Sequence, residues 1–392
     1  MKVMILGVDG YVGFPLAMRL IREGHEVSGL DNFITRKRVR KVGSDSALPI
    51  KSFDKRNLVL EKILGSKVDF YYGDASNPLH LKKAIASAKP DAVVHLAEQR
   101  SAPYSMLGLK EASETMSQNI ISTLNLIYII KEINKDAHIL KLGTMGEYGT
   151  PNVAIPEGFF EVEYKGRKDT LPFPKFAGSW YHWTKVHDSN NLMFANKVWG
   201  LGITDVMQGV VYGSRTKEIE ETGLYTRFDV DEVYGTAANR FSAEVVLGMP
   251  MTVYGKGGQA RGFLSLNDSI NCLALALKNP PNNGEYRVFN QFDEHYSINQ
   301  VASMVKAAYL DMTGTDTIVQ HVENPRVERE EHYYNPEHEN LKKLGYVRAK
   351  PVSAEIKDVM ADLQKHKKRL DKLKSRILYG VRWKDSKVNL TG

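Results

Sequence analysis

The sequence predicts an α/β fold with a doubly wound parallel sheet and a smaller mixed domain beside it. Three observations lead to this prediction. Short apolar runs that do not alternate with polar residues recur through the first half of the chain, as expected of strands buried on both faces. A glycine-rich turn and a helical pattern follow the first run, and the second run ends in the acidic residue Asp31. From residue 202 onward the pattern is less regular, which indicates the second domain.

The composition is that of an ordinary globular protein. The chain has 392 residues, of which 42% are hydrophobic and 25% are charged, enough for one large domain or two associated ones. Cys272 is the single cysteine, so no internal disulfide can form, and its apolar helical surroundings predict that it is buried. No apolar run approaches the roughly 20 residues of a membrane span. We therefore predict a cytoplasmic protein that does not insert into a membrane.

The net charge of +7 is not by itself a sign of nucleic-acid binding. Much of the excess lies between Ile356 and Ile377, where lysines and arginines accompany apolar residues at helical spacing. This pattern predicts an amphipathic helix with a solvated basic face, and no nucleic-acid-binding module accompanies it. His321, His332 and His338 match no zinc signature. The sequence therefore predicts neither a nucleic-acid partner nor a metal.

The first strand, residues 2–7, leads into the turn GVDGYVG, which contains Gly7, Gly10 and Gly13. Glycines here permit a tight turn and let the backbone approach a pyrophosphate at the positive end of the following helix. The spacing G-x-x-G-x-x-G is a variant of the dinucleotide fingerprint and is a weak signal when it stands alone. Strand, turn, helix, strand and acid in this order predict a Rossmann-type dinucleotide site.

Asp31 lies where a carboxylate accepts hydrogen bonds from the adenosine ribose hydroxyls. A carboxylate there repels a 2′-phosphate, which favours NAD over NADP. Arg36, Lys37 and Arg38 argue for NADP, because arginines near this position can hold that phosphate. NAD remains the predicted cofactor.

Further strands deliver other polar residues to the same edge of the sheet. Residues 68–74 end at Asp74, residues 91–97 run into a loop that carries Arg100, and the run HILKLGT ends at Thr144. Loops at the carboxyl ends of parallel strands line the ligand crevice, so these residues are candidates for ligand contact.

The stretch between Thr144 and Tyr181 is rich in prolines and polar residues, which predicts an ordered loop or lid and not a helix. We predict a dinucleotide-binding domain over residues 1–205 with a lid-like insertion at 150–178. Residues 206–392 are expected to form mainly the substrate-binding domain, with some segments returning to the first domain.

Tyr181 and Lys185 are predicted to begin the helix that faces Thr144. Side chains four residues apart lie on one helix face, so the ammonium of Lys185 would lie near the phenol of Tyr181. A nearby cation favours the phenolate and lowers the tyrosine pKa, which suits a base that removes a proton from a hydroxyl. Tyr-x-x-x-Lys also occurs by chance in many helices, so the prediction depends on the surrounding motifs.

With the glycines, Asp31, Thr144, Tyr181 and Lys185 in this order, the chain resembles the extended short-chain dehydrogenase/reductases that act on nucleotide sugars. The stretches AEQRSAPYSM, KLGTMGEYGTPN, YHWTKVHDS, QGVVYG, TVYGKGGQARG, RVFNQF and NPRVEREEHYYN are similar to the UDP-sulfoquinovose synthase family within that superfamily. The resemblance covers nearly the whole chain and weakens after residue 345.

The resemblance implies conversion of UDP-glucose and sulfite to UDP-sulfoquinovose. NAD would oxidise C4, water would be lost across C5 and C6, sulfite would add at C6, and C4 would be reduced again. Tyr181 with Lys185 would act at the 4-hydroxyl, Thr144 would orient that hydroxyl, and Arg100 is the candidate for receiving sulfite. The superfamily also implies a homodimer. The helix around Asn119 has a wide apolar face, which could pack on the sheet or pair with its copy in a dimer.

One departure from the sister enzymes bears on the elimination. Nucleotide-sugar 4,6-dehydratases usually carry an acid pair where this chain has Met145 and Gly146, and here the glutamate comes one place later, as Glu147. Glu147 is therefore the predicted acid or base. A UDP-glucose 4-epimerase, a 4,6-dehydratase and a cofactor-binding scaffold without catalysis remain alternatives.

The predicted catalytic residues are Thr144, Glu147, Tyr181 and Lys185. Predicted cofactor contacts are Gly7, Gly10, Tyr11, Val12, Gly13, Asp31, Asn32, Thr35, Arg36, Asp74, Ala75, Arg100, Asn119, Tyr181, Lys185 and Val210. Predicted substrate contacts are Arg100, Tyr104, Thr144, Tyr181, Gln208, Arg240, Tyr254, Gln259, Arg261, Arg326 and Glu328.

Overall fold

The computed structural model describes residues 1–329, 331–378, 380 and 383. Residues 384–392, the end of the predicted second domain, lie outside the described residues. Among the described residues the strands are β1 (Lys2–Leu6), β2 (Glu26–Asp31), β3 (Asp69–Tyr72), β4 (Ala92–His95), β5 (His138–Thr144), β6 (Phe159–Tyr164), β7 (Arg167–Pro172), β8 (Ile203–Gln208), β9 (Val210–Tyr212), β10 (Met251–Tyr254), β11 (Ala260–Ser265), β12 (Tyr286–Gln291), β13 (Glu294–Ser297) and β14 (Val319–Val322).

The helices in the described part of the chain are α1 (Gly13–Arg22), α2 (Ile34–Lys41), α3 (Phe53–Leu64), α4 (Pro78–Ala88), α5 (Ala102–Ser105), α6 (Leu109–Ile133), α7 (Trp180–Trp199), α8 (Lys217–Thr222), α9 (Ala237–Val246), α10 (Leu266–Lys278), α11 (Ile298–Thr313), α12 (Glu339–Lys343), α13 (Val352–Lys365) and α14 (Lys367–Leu370). Short 3₁₀ helices span Met145–Tyr148 and Asp371–Arg376.

A seven-stranded parallel sheet in the order β12-β8-β5-β4-β1-β2-β3 forms the centre of the molecule. Its inner strands are apolar on both faces because helices cover both sides. Apolar residues of α1, α3 and α10 pack on one face, and those of α4, α6 and α7 pack on the other. The predicted α/β fold class, with a doubly wound parallel sheet, is confirmed.

The later part of the chain contributes smaller sheets and also returns to the large one. Strands β9, β11 and β13 form a mixed three-stranded sheet, and β10 pairs with β14. A separate apolar core lies among α9, α11 and α13. Strand β12 comes from the same part of the chain but completes the edge of the central sheet beside β8.

The region between Thr144 and Tyr181 contains a β-hairpin that the sequence did not predict. Strands β6 and β7 pair antiparallel around Lys165 and Gly166, both of which have positive φ, as a two-residue hairpin turn requires. The expectation of a loop was therefore incomplete. Alternation in the run FFEVEYKGRKDTLP was the available signal, and the surrounding prolines obscured it.

The basic segment near the end of the chain forms α13, α14 and a 3₁₀ turn, and not one helix. Its apolar residues Ile356, Met360, Leu363, Leu370 and Ile377 are buried, so the predicted apolar face is present. Cys272 is buried on α10, as predicted. Among the described residues no helix has both the length and the apolar character that a membrane crossing requires.

Candidate active site

A deep cleft opens at the carboxyl ends of β1, β4, β5 and β8. Its wide part has a volume of about 740 Å³, within the range of small-molecule sites. A narrower part of about 60 Å³ continues towards the end of β2. The cleft follows the edge where parallel α/β sheets bind their ligands.

The floor of the cleft is the turn between β1 and α1. Gly7 has a φ of +86°, and a Cβ there would lie 2.7 Å from the Leu96 backbone. A Cβ on Gly13 would lie 2.3 Å from the Gly7 oxygen. The bare backbone and the first N–H groups of α1 therefore face the cleft, which fits the pyrophosphate of a dinucleotide.

The narrow end of the cleft contains Asp31. Its carboxylate accepts N–H bonds from Asp9 at 2.9 Å and from Phe33 at 2.7 Å. Burial, together with the neighbouring Asp9 charge, raises the pKa of Asp31 to about 6. The carboxylate faces the cavity beside Asn32, Thr35 and Asp74, which suits a ribose with free hydroxyls.

Helix α7 begins at Trp180 and brings Tyr181 and Lys185 to the middle of the cleft. The helix starts there because the Ser179 side chain accepts the His182 N–H as an N-cap. The Lys185 Nζ lies 6.0 Å from the centre of the Tyr181 ring and donates to the Leu142 carbonyl at 2.7 Å. It also pairs with Glu98 at 2.5 Å.

Burial raises the pKa of Tyr181, and Lys185 lowers it only in part because Glu98 opposes the lysine charge. The pKa of Lys185 is raised despite its burial, chiefly by Glu98. In the protein alone the Tyr181 hydroxyl is therefore protonated at neutral pH. Ionisation of this phenol requires a further positive charge in the cleft.

Thr144 ends β5 and caps the 3₁₀ helix Met145–Tyr148. Its Oγ1 accepts the Gly146 N–H at 3.1 Å, and Glu147 accepts the Thr144 N–H at 3.1 Å, forming a capping box. Both bonds fix the threonine where it lines the cleft opposite Tyr181. Its hydroxyl hydrogen remains available for a ligand.

Glu147 points behind the cleft into a fully buried group of charges. Its carboxylate lies 3.2 Å from the Lys141 Nζ and 2.6 Å from the Lys175 Nζ, and Ser189 lies 2.9 Å away. Burial raises the pKa of Glu147, but Lys141 and Lys175 outweigh burial and lower it to about 2. Its predicted role in the elimination stays a prediction, and its side chain does not line the cleft.

His182 was not among the predicted site residues, yet it lines the cleft beside Tyr181. A Cβ on Gly146 would lie 2.4 Å from the His182 Nε2, so this glycine provides the space that the imidazole occupies. Burial, with help from Arg261 and Arg326, lowers the pKa of His182 to about 4. The ring is therefore neutral at physiological pH. In the sequence, the glycine at position 146 was the available signal that a neighbouring side chain occupies this space.

Arg100 lines both parts of the cleft but already has partners. Its guanidinium pairs with Asp229 and donates to the Tyr234 carbonyl at 3.1 Å. About 31% of its side chain is exposed. Arg100 thus contributes positive charge to the cleft that Asp229 partly neutralises.

The far wall of the cleft carries Arg261, Arg326 and Glu328. Arg261 pairs with Glu328, and Arg326 lies over the Trp383 ring with its Cζ 5.7 Å from the centroid. Guanidinium groups match the oxygens of a diphosphate.

The cleft gathers most of the predicted site residues. Those that line it are Gly7, Gly10, Tyr11, Val12, Gly13, Asp31, Asn32, Thr35, Asp74, Ala75, Arg100, Thr144, Tyr181, Lys185, Gln208, Val210, Arg261, Arg326 and Glu328. Those that do not are Arg36, Tyr104, Asn119, Glu147, Arg240, Tyr254 and Gln259.

Packing explains why several of these side chains lie outside the lining. Arg240 bonds to Thr252 at 2.9 Å and stacks on Tyr254, whose hydroxyl bonds to Glu232 at 3.0 Å. Tyr104 is buried and bonds to Glu114 at 2.9 Å.

Asn119 and Gln259 are also occupied within the protein. Asn119 on α6 exchanges bonds with the Gln99 backbone and donates to Thr184 on α7 at 3.0 Å, so it joins the β4 loop to α7. Gln259 is buried and donates to the Tyr254 carbonyl at 3.2 Å.

Comparison with known proteins defines the class of this site. The NAD dependent epimerase/dehydratase family matches residues 3–290. The UDP-glucuronic acid 4-epimerase from Bacillus cereus, solved with UDP-glucuronic acid and NAD, has the same fold with a TM-score of 0.69 and 20% identity, covering 93% of this chain and 99% of that one. The UDP-glucose 4-epimerase from Bifidobacterium longum, solved with NAD+ and UDP, has a TM-score of 0.71 and 17% identity, covering 94% of this chain and 99% of that one. The chain belongs to the NAD dependent epimerase/dehydratase family, and the prediction of an NAD-dependent enzyme is confirmed.

Two relatives are much more similar in sequence. The UDP-sulfoquinovose synthase of Sulfolobus acidocaldarius is 50% identical over 385 residues, 98% of each chain. The chloroplastic UDP-sulfoquinovose synthase of Spinacia oleracea is 44% identical over 98% of this chain and 79% of its own. A probable UDP-glucuronate 4-epimerase of Rhizobium meliloti is only 25% identical over 72% of this chain and 69% of its own. The predicted resemblance to the UDP-sulfoquinovose synthases is confirmed.

Proposed function

We propose that this protein converts UDP-glucose and sulfite to UDP-sulfoquinovose. The observation that carries the proposal is the 50% identity with the Sulfolobus acidocaldarius synthase over 98% of both chains. The cleft supports it, because Thr144, Tyr181 and Lys185 lie together beside a glycine cradle that fits a dinucleotide.

When bound, NAD would supply reversible oxidation at C4 of the glucose. The Tyr181 oxygen receives the proton of the 4-hydroxyl and later returns it, and Thr144 orients that hydroxyl through its free hydroxyl hydrogen. Lys185 stabilises the ionised phenol, since it lies near the ring and is itself held by the Leu142 carbonyl and Glu98.

His182 is our candidate for the proton transfers at C5 and C6. Oxidation at C4 makes the C5 proton acidic, and the neutral His182 imidazole, which lines the cleft, has an electron pair that can accept this proton. Its lowered pKa makes it a weaker base than an exposed histidine, so the acidity of the C5 proton is needed for the transfer. Glu147, the acid or base predicted from sequence, is ionised and enclosed by Lys141 and Lys175. A role for Glu147 in the elimination would require proton transfer through one of these neighbours.

Exchange of the C5 proton with solvent distinguishes between His182 and Glu147 as the residue that acts in the elimination. In heavy water with UDP-glucose and no sulfite, His182→Ala should still form reduced cofactor, seen by ultraviolet absorbance, but incorporate deuterium at C5 about 100-fold more slowly. If Glu147 is the acid or base of the elimination, as the sequence predicts, Glu147→Gln should instead slow deuterium incorporation at C5 while reduced cofactor still forms. Equal loss of C4 oxidation and C5 exchange in a variant would exclude a specific elimination role for its residue.

We assign sulfite and the UDP group to different arginines of the cleft lining. Arg100 adds positive charge to the cleft, partly neutralised by Asp229, which supports attraction of an anion such as sulfite. Arg261 and Arg326 support binding of the diphosphate, with Glu328 paired to Arg261 and Gln208 in the same lining.

Product analysis tests the proposed reaction directly. Purified protein is incubated with UDP-glucose with and without sulfite, and products are identified by mass spectrometry. A sulfonated UDP-hexose that forms only with sulfite is the expected product. UDP-galactose or a stable 4-keto-6-deoxy sugar would instead indicate an epimerase or a 4,6-dehydratase.

A homodimer is part of the proposal. Apolar side chains are exposed on neighbouring helices at helical spacing: Ile121 and Tyr128 on α6, and Phe194 and Val198 on α7. Such a contiguous apolar face favours burial against a second copy. Light scattering coupled to size exclusion should give twice the 44.1 kDa chain mass.

We also propose a cytoplasmic location. Cys272 is the single cysteine and is buried and unpaired, which is compatible with a reducing compartment. Cell fractionation with an antibody against the protein tests this, and recovery with the membrane or secreted fraction would contradict it.

A further inference from the structure

Asp9 lies inside the glycine turn and is bonded to two arginines. It is buried, with 3% of its surface exposed. Its two carboxylate oxygens accept the Arg36 Nε and Nη2, each at 2.6 Å, and one of them also accepts the Arg56 Nη2. Asp9 is not among the predicted site residues.

The two arginines come from different elements and are held in place by aromatic rings. Arg36 belongs to α2, and its Cζ lies 5.2 Å from the centre of the Phe33 ring. Arg56 belongs to α3, is completely buried, and lies 4.1 Å from the centre of the Phe14 ring. Their positions are therefore fixed by packing as well as by charge.

Asp9 is adjacent to the carboxylate that is expected to receive the adenosine ribose. Its own N–H donates to Asp31 at 2.9 Å, and both aspartates line the narrow end of the cleft with Ile34 and Thr35. Arg36 lies two residues after Ile34, in the first turn of α2. Asp31 and Arg36 both bond to Asp9, so a single residue separates the Arg36 guanidinium from the carboxylate predicted to bind the ribose.

Asp9 uses the face of Arg36 that could otherwise bind a phosphate. A guanidinium binds a carboxylate or a phosphate best through two parallel N–H donors, and the Nε–Nη2 pair of Arg36 is bonded to Asp9. Asp31 has no arginine within salt-bridge distance among the described residues, and only backbone N–H donors reach it. Its carboxylate remains available to ribose hydroxyls.

We propose that Asp9 is a specificity-determining residue, which occupies Arg36 and Arg56 and so denies a 2′-phosphorylated dinucleotide the cation it would need. Selection against the 2′-phosphate then rests on two carboxylates with different tasks. Asp31 repels the phosphate, and Asp9 removes the arginine that could compensate for this repulsion. The arginines after β2, which argue for NADP in the sequence, are thereby compatible with NAD.

The test measures binding of NAD and of NADP to the full chain by titration calorimetry, independently of turnover. Asp9→Asn keeps the shape of the side chain and one acceptor oxygen. The single change leaves the buried Arg56 guanidinium without its charged partner. The double variant Asp9→Asn with Arg56→Met removes this guanidinium, so the test does not depend on the single variant being able to fold. In both variants the ratio of the NADP to the NAD dissociation constant should fall by about tenfold or more. This is the contribution of one charge-assisted hydrogen bond from the freed Arg36 to the 2′-phosphate.

Arg36→Met added to the double variant is the matched control. It should restore the NAD preference, because the freed guanidinium is then missing. An unchanged preference in the variants that fold would overturn the proposal, as would a reduced preference that persists without Arg36. Equal loss of both dinucleotides at an unchanged melting temperature would assign Asp9 to general cofactor binding and would also overturn it.

Discussion

At the centre of the cleft, the charge of Lys185 is shared between Tyr181 and Glu98. Glu98 lies 2.5 Å from the lysine and lines the cleft, while the ring centre of Tyr181 is 6.0 Å away. The lysine therefore stabilises a phenolate less than an unpaired lysine would. The pairing of Lys185 with Glu98 therefore keeps the Tyr181 hydroxyl protonated until a ligand adds positive charge to the cleft.

Removal of the Glu98 charge should shift the pH dependence of turnover. Burial raises the pKa of Tyr181 and Glu98 raises it further, so Glu98→Gln lowers that pKa. Activity that needs the ionised phenol rises with pH through this pKa. The rising limb of kcat against pH is therefore expected at lower pH than in the wild type. Glu132→Gln, on the exposed surface of α6, is the control and should leave the limb in place.

Glu147 should contribute strongly to stability. Its pKa is about 2 in the folded protein and near 4.5 when unfolded, because Lys141 and Lys175 overcome the cost of burial. The lowered value means that the stabilisation is present above the unfolded pKa and is lost as pH falls towards 2. Glu147→Gln is expected to reduce the free energy of unfolding by about 3 kcal/mol at pH 7.

Urea unfolding at several pH values checks this prediction. The difference between wild type and Glu147→Gln should be largest at pH 7 and should shrink as pH falls below about 5. A difference that grows on acidification would contradict the assigned ion pairs.

At the scale of elements, the end of β5 and the start of α7 form one unit. The 3₁₀ turn that follows β5 presents Gly146 to His182, and the capping box of Thr144 and Glu147 fixes the turn. The hairpin insertion supplies Lys175, which bonds to Glu147 from the other side. Small changes in this turn are therefore expected to displace Thr144 and His182, which lie on two different elements.

Gly146→Ala should be destabilising through a clash between these elements. The added methyl would lie 2.4 Å from the His182 Nε2, and overpacking of this kind costs about 1–3 kcal/mol. Gly146→Ala combined with His182→Ala should recover most of that loss, since the imidazole is gone. Denaturant unfolding of the two single variants and the double variant measures the coupling, and additive losses would show that the two residues do not meet.

On the outer surface of the molecule, the neighbouring helices α6 and α7 expose large apolar side chains. Tyr128 is 53% exposed and Phe194 is 62% exposed, although both belong to helices whose other faces pack on the central sheet. Exposure of large side chains at helical spacing on two adjacent helices favours association.

Phe194→Glu should convert the proposed dimer to a monomer. A carboxylate at the centre of an apolar interface would be desolvated without a partner, which is strongly unfavourable. Light scattering at several concentrations gives the mass. Leu79→Glu, at an exposed apolar residue on α4, is the matched control and should remain dimeric. A wild-type chain that is monomeric at all concentrations would contradict the dimer.

Local sequence patterns were enough to predict the first five strands of the central sheet, the glycine turn, the acid at the end of β2 and the spacing of Tyr181 and Lys185. These features depend on local rules: unbroken apolar runs form buried strands, glycines permit close backbone approach, and a four-residue spacing places two side chains on one helix face. Which charged groups meet depends on the folded chain. It brought Glu98 to Lys185, Asp9 to Arg36 and Arg56, and Lys141 and Lys175 to Glu147. These partners are far apart in sequence or lie on different elements, and no local pattern encodes the distance between them.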